Sequence, residues 1–238
     1  MKRVIGIIIL NLILLTYSYA GFSVIKPSFG ITLDRAKTQE QLIMNTGNKN
    51  LRIKIYAEKP ANLKDEKLYM GEWVKVYPRY VTIPANGRKR VRFIVKPPKD
   101  QHIADGEYRC VLYYEEIKQK GAEGFSLRVG TPIYGRIGKL IYTAKYDNLK
   151  LKKTKRGYKL SGVAENTGNS SFALRAKIKF YDKKGTLLEK VDKKVAPLFR
   201  GTTKEIVMEL KEVKKAEKVT VLFYEKNKKY RYEKIFEL

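Results

Sequence analysis

From Tyr77 to Thr131 the chain alternates apolar and polar residues in three successive runs, each bounded by proline or glycine. The runs are Y-P-R-Y-V-T-I-P-A-N-G-R-K-R-V-R-F-I-V-K-P-P, then G-E-Y-R-C-V-L-Y-Y-E-E-I, then F-S-L-R-V-G-T. A period of two puts alternate side chains on opposite faces of a strand, and no convincing helical period competes with it. In the last run Phe125, Leu127 and Val129 share one face, and Ser126, Arg128 and Gly130 share the other. Such a strand either packs within its own sheet or offers an edge with which another chain can pair.

The rest of the chain repeats this grammar. Phe22–Leu33 is apolar but broken by Pro27 and Gly30. That pattern predicts an edge strand that bends or switches partner, because proline cannot donate to a ladder. Asp34–Glu40 reads as a polar connection. Asn45-Thr46-Gly47-Asn48 is a turn, and Leu51, Ile53 and Ile55 alternate after it. Ala57–Gly71 reads as a loop, Trp73 as a core residue packed on a facing sheet, and Lys118–Gly124 as a second loop. About seven strands between Phe22 and Tyr134, separated by turn signals, match an immunoglobulin-like sandwich. The second half follows the same plan. Asn166-Thr167-Gly168-Asn169 repeats the tetrapeptide, and Leu174, Ala176, Ile178 and Phe180 alternate after it. The predicted fold is all-β, with two tandem immunoglobulin-like β-sandwich domains over 21–140 and 141–238.

Residues 1–20 read as a signal peptide. Lys2 and Arg3 precede an apolar run, and Tyr17-Ser18-Tyr19-Ala20 supplies small residues at the positions that guide cleavage after Ala20. The alternative is an uncleaved anchor, but the run falls short of the ~20 residues a spanning helix needs. A periplasmic protein, not membrane-spanning once mature, is expected. With 51 basic against 24 acidic residues the formal charge is +27. Such a charge favours acidic partners, namely anionic lipid, wall polymer or an acidic protein. The even spread of lysines also fits plain solvated strand faces. Nucleic acid does not fit an exported location. Cys110 is the single cysteine, so no intrachain disulfide forms, and it reads as a small buried apolar group. His102 is the single histidine, and no cluster has metal-ligand spacing. No cofactor, no metal and no catalytic constellation is expected, so the chain does not read as an enzyme.

These features together resemble the periplasmic pilus and fimbrial assembly chaperones, the PapD-like family. The strand ending in M-N-T-G-N, the segment P-x-x-V-x-I-P-A-N-G-x-x-x-V-R-F from Pro78 to Phe93, and the strand ending in Glu116-Ile117 look like the family's pattern. The run F-S-L-R-V-G-T stands where the family has its donor strand. The likeness is clearest over about Asn45 to Tyr134 and rests on length and pattern alone in the second half. It implies a chaperone that binds pilin-like or other secreted subunits by donor-strand complementation, with an outer-membrane usher as a further partner. Phe125, Leu127 and Val129 would be the side chains that plug the subunit's groove. The family grips the subunit's terminal carboxylate with an arginine on the first strand and a lysine on the last. Here Tyr134 stands at the lysine position, and Lys26 with Arg136 is the substitute pair. The competing expectation is an exported structural or binding module of tandem sandwiches that contacts anionic envelope components. In that reading Phe125, Leu127 and Val129 pack inward on their own domain.

Overall fold

The structure, a computed structural model, describes residues 21–99, 102–118, 125–227 and 230–238. The expected signal peptide and most of the expected Lys118–Gly124 loop lie outside the described residues. The chain divides into two compact units. One takes in the described residues up to His102 together with Tyr108–Gly135, and the other Ile103–Glu107 with Arg136–Leu238. The division at Arg136 comes ahead of the expected boundary after Leu140. Residues of that short stretch are tied into the second unit, where Lys139 N donates to Asp105 Oδ2 at 2.9 Å and Asn169 Nδ2 to Lys139 O at 3.0 Å.

The first unit contains β1 (Phe22–Val24), β2 (Phe29–Thr32), β3 (Lys37–Asn45), β4 (Leu51–Glu58), β5 (Val74–Tyr77), β6 (Tyr80–Ile83), β7 (Arg88–Val95) and all but two residues each of β8 (Gly106–Glu116) and β9 (Arg128–Ile137). They form a four-stranded sheet, β1-β3-β7-β5, and a five-stranded sheet, β2-β9-β8-β4-β6. Period-two burial drives them together. Ile43, Ile53, Ile55, Val91, Phe93, Val95, Leu112 and Ile133 face inward and are essentially inaccessible. Phe29 of one sheet meets Phe93 of the other edge-on at 4.9 Å.

The first strand changes sheets as expected. β1 pairs with β3, the chain turns at Lys26-Pro27-Ser28, and β2 joins β9. Gln41 satisfies the backbone at the crossover. Its amide accepts from Lys26 N at 3.0 Å and donates to Lys26 O at 2.8 Å from a fully buried position. The expected polar connection is shorter than predicted, because β3 begins at Lys37 and runs opposite Val95. The polar residues of Lys37–Glu40 belong to an edge region with a solvated face. Trp73 is half-buried and packs on Tyr108 of the facing sheet at 4.9 Å between centroids. Between Glu58 and Val74 the chain makes two short 3-10 turns, Glu66–Leu68 and Gly71–Trp73.

The second unit contains β10 (Ala144–Thr154), β11 (Gly157–Asn166), β12 (Phe172–Tyr181), β13 (Leu187–Leu198), β14 (Thr203–Lys211), β15 (Lys218–Glu225) and β16 (Arg231–Glu237). Its sheets are β10-β11-β14 and β13-β12-β15-β16. Leu160, Leu174, Ile178, Phe180, Val221 and Phe223 fill the space between them. Tyr146 stacks on Phe223 across the two sheets at 4.6 Å.

The repeated tetrapeptide makes the same device in both units. Asn45 Nδ2 donates to Lys49 O, Ile83 O and Pro84 O, and Asn45 Oδ1 accepts from Gly47 N. Asn166 Nδ2 donates to Ser170 O and Leu198 O, and Asn166 Oδ1 accepts from Gly168 N. Each buried amide closes its own turn and ties it to a neighbouring strand. The chain is nearly all β, and each unit is an immunoglobulin-like sandwich.

Candidate functional site: the leading edge of strand β9

The odd-numbered residues of β9 face the core. Ile133 and Thr131 are fully buried, Val129 is half-buried, Leu127 is 39 % exposed and Phe125 is 100 % exposed. One stripe thus begins inside the sandwich and leaves it. Exposure rises along the stripe from Val129 through Leu127 to Phe125, and burying the fully exposed Phe125 against a partner would contribute roughly 1.5–3 kcal/mol.

The strand begins later than its alternation predicts. β9 starts at Arg128, while Phe125, Ser126 and Leu127 precede it. The reason is the length of the neighbour. β8 ends at Glu116, whose N donates to Leu127 O at 2.9 Å, and that is the last rung. Ser126 Oγ adds a bond to Glu116 O at 2.7 Å, and Leu127 N one to Glu116 Oε2 at 3.3 Å. On its other side β9 meets only β2 among the described residues. β2 has four residues and β9 has ten. A Cβ on Gly135 would lie 2.5 Å from Leu33 Cδ1, so the end of β2 sits beside the far half of β9. β2 is thus too short to cover the whole of β9, and the residue after its last one lies beside Gly135.

The opposite face holds this segment in place. Arg128 lies over the Tyr113 ring at 3.6 Å and near the Tyr56 ring at 5.4 Å, and pairs with Glu58. Gly130 lets Tyr113 lie flat on the strand, since a Cβ there would meet Tyr113 Cε1 at 2.8 Å and Val111 Cγ1 at 2.9 Å. Tyr56 donates to Glu115 Oε2 at 2.6 Å. Burial, with that bond, pushes the Tyr56 phenol up to about 12. The segment is therefore held through its outward face, while its apolar face continues the core-facing stripe and is progressively uncovered towards Phe125. The alternation identified the apolar face. It did not identify Arg128, Tyr113 and Tyr56 as the clamp, although a glycine inside an alternating strand is a known sign of close approach.

Each candidate carboxylate anchor has its own setting. In the first unit Lys26 has its ammonium 5.2 Å from the Phe29 ring centroid and makes no ion pair among the described residues. In the second unit Arg136 Nε donates to Glu107 Oε2 at 3.2 Å, and that carboxylate is fully buried. Glu107 lies far from Arg136 in sequence, so this pairing has no local trace. Cys110 is fully buried, and burial pushes its thiol up to about 12. His102 is exposed, and no group of acidic, histidine or cysteine side chains among the described residues could hold a metal ion. No described helix is long and apolar enough to cross a membrane.

No family model matches the sequence, and no curated protein matches it either. Solved structures do match the fold. A class 5 fimbriae chaperone, CfaA, superposes with a TM-score of 0.55 at 14 % identity, over 90 % of this chain and 98 % of its own. A chain from a chaperone–tip adhesin complex of CFA/I fimbriae biogenesis gives 0.55 at 14 % identity, over 91 % of this chain and 98 % of its own. The YadV chaperone gives 0.51 at 12 % identity, over 91 % and 99 %. The chain thus has the two-domain immunoglobulin-like fold of these fimbrial chaperones, along nearly its whole described length.

Proposed function

We propose that this protein is a periplasmic chaperone that binds pilin-like secreted subunits by donor-strand complementation and delivers them for assembly at the cell surface. The observation that carries the reading is the stripe Phe125, Leu127, Val129, which leaves the core as β9 begins and is increasingly exposed towards Phe125. A subunit with an incomplete sandwich lacks one strand. β9 would supply it, with backbone ladder bonds giving affinity and the three side chains filling alternate pockets. The fold shared with fimbrial chaperones supports the same role, and an outer-membrane usher is the expected recipient of the subunit. No cofactor or bond-making chemistry enters this scheme. Of the two candidate anchors for a terminal carboxylate, Lys26 has a free ammonium, whereas Arg136 would have to share its guanidinium with Glu107.

The test is co-purification from the native envelope, comparing wild type with Leu127→Asp. The proposal predicts that an exported subunit accompanies the wild type and is lost from the variant, while the variant's urea midpoint stays unchanged. Retention of the same subunit by a folded Leu127→Asp protein would contradict it.

A further inference from the structure

We propose a second docking surface, the outward face of the β1-β3-β7-β5 sheet, which takes an acidic protein segment. Register fixes the layout. Met44 lies opposite Arg88, Leu42 opposite Arg90, and Glu40 opposite Arg92, with Tyr77 beyond Arg92 on β5. Ile25 continues β1 beside Leu42, to whose carbonyl its N–H donates at 3.1 Å. An apolar column of Ile25, Leu42 and Met44 thus runs along a column of arginines. Ile25 is 53 % and Tyr77 84 % exposed.

One arginine of the column already holds a carboxylate. Arg92 Nε donates to Glu40 Oε1 at 2.6 Å, directly across the strands. Arg88 and Arg90 have the apolar Met44 and Leu42 opposite them and no ion pair among the described residues. A notch of about 340 Å³ is lined by Leu42, Arg88 and Arg90. A second, of about 270 Å³, lies between Ile25, Lys26, Glu40, Gln41, Leu42 and Arg90. Same-face residues on a strand stand ~6.8 Å apart. Carboxylates at alternate positions of an extended chain have that spacing and match Arg88 and Arg90. Notches of side-chain size with an apolar wall, and a carboxylate on the face itself, suit a protein segment better than a sheet of anionic lipid.

The fold does not require these arginines. Asn45 N donates to Gly87 O and Asn166 N to Thr202 O, so β7 and β14 hold equivalent places in the two units. The outward residues Arg88, Arg90 and Arg92 of β7 correspond to Thr203, Glu205 and Val207 of β14. An equally good sandwich carries no cation at any of the three. The surface is separate from the β9 stripe and stands whether or not β9 acts as a donor strand.

The experiment is a titration of the 15N-labelled protein with a decapeptide alternating glutamate and threonine, read by amide chemical shifts. Shifts should cluster at residues 23–25, 40–44 and 88–94. The Arg88→Gln/Arg90→Gln variant, with an unchanged urea midpoint, should weaken binding at least tenfold. Leu127→Asp, and a Lys152→Gln/Lys159→Gln variant that removes equal charge from the second unit, should leave it unchanged. Shifts spread over the lysines of both units, or equal binding by the arginine variant, would reduce the effect to net charge and overturn the proposal. Binding of phosphatidylglycerol vesicles through the same residues, without peptide binding, would overturn it in favour of a membrane.

Discussion

β9 and β16 are the last strands of their units, and they treat an open edge in opposite ways. β16 ends its sheet beyond β15. It carries Arg231, Glu233, Lys234 and Glu237, all exposed, and places Tyr232 against Tyr146 at 4.6 Å. Charges on an edge strand discourage a second chain from pairing there. The start of β9 has its one charge, Arg128, turned to the outward face and held by Tyr113 and Glu58. Its other face offers Phe125, Leu127 and Val129. The same architecture therefore contains one edge guarded against strand addition and one suited to it. The comparison separates what a sandwich needs from what a partner needs.

Substitutions along the β9 stripe should give the largest contrast. Ile133→Asp places a carboxylate at a fully buried position and should cost more than about 4 kcal/mol, enough to unfold the first unit. Leu127→Asp, six residues earlier on the same face, should change stability by no more than about 0.5 kcal/mol. Ile235→Asp on β16, where the side chain is 54 % exposed, should be equally mild and should not affect subunit capture. Urea denaturation of the three variants checks the series. If Leu127→Asp proves as costly as Ile133→Asp, the stripe is core throughout and the contrast with β16 disappears.

The next effect concerns what the units share. Asn45→Ala and Asn166→Ala each remove a buried amide that donates to backbone carbonyls of its own turn and of a neighbouring strand, at a cost of roughly 1–3 kcal/mol each. Similar losses in the two units, measured by calorimetry, are expected. A loss confined to one unit would show that the repeated turn has different weight in the two sandwiches.

A smaller effect is expected at Gly130. Gly130→Ala must push Tyr113 off the strand and should destabilise by about 1–3 kcal/mol. Subunit capture should weaken with it, since Tyr113 and Arg128 hold the segment in place. Full capture by a Gly130→Ala protein would mean that the clamp does not present the stripe.

The last effect is one of pH and is small until the medium is strongly alkaline. Burial raises the Cys110 thiol from 9.0 to about 12, and burial with the Glu115 bond raises the Tyr56 phenol from 10.0 to about 12. Both groups keep in the folded state a proton that the unfolded chain releases. Their contribution is full below the unfolded values and declines as pH rises from about 9 towards 12. The urea midpoint of the first unit should fall over that window, and Cys110→Ala should remove the part of the fall that begins near 9.

Much of the fold is legible because period-two burial is a local signal. The sheet switch at Pro27, the turns at Asn45 and Asn166, and the apolar faces of β4, β7 and β12 all follow from neighbouring residues. The start of β9 does not, because a strand ends where its partner ends, and Glu116 sets that limit from another part of the chain. The polar beginning of β3 was hidden for a similar reason: its residues serve a solvated face, and only pairing with Val95 makes them a strand. In the site, the alternation of Phe125, Leu127 and Val129 was visible, but its exposure gradient was not. The clamp joins Arg128 to Tyr56, Glu58 and Tyr113 on two other strands, and Glu107 meets Arg136 from a distant position. Such contacts have no periodic trace.

The central claim is that the outer end of the β9 stripe fills another protein's groove. The most direct measurement places a photo-crosslinking p-benzoylphenylalanine at Phe125 in cells and maps the adducts by mass spectrometry. The account predicts crosslinks to apolar, groove-lining residues of an exported subunit, and loss of those adducts when Leu127→Asp is added. Crosslinks confined to this protein's own first unit would contradict it and return Phe125, Leu127 and Val129 to the core.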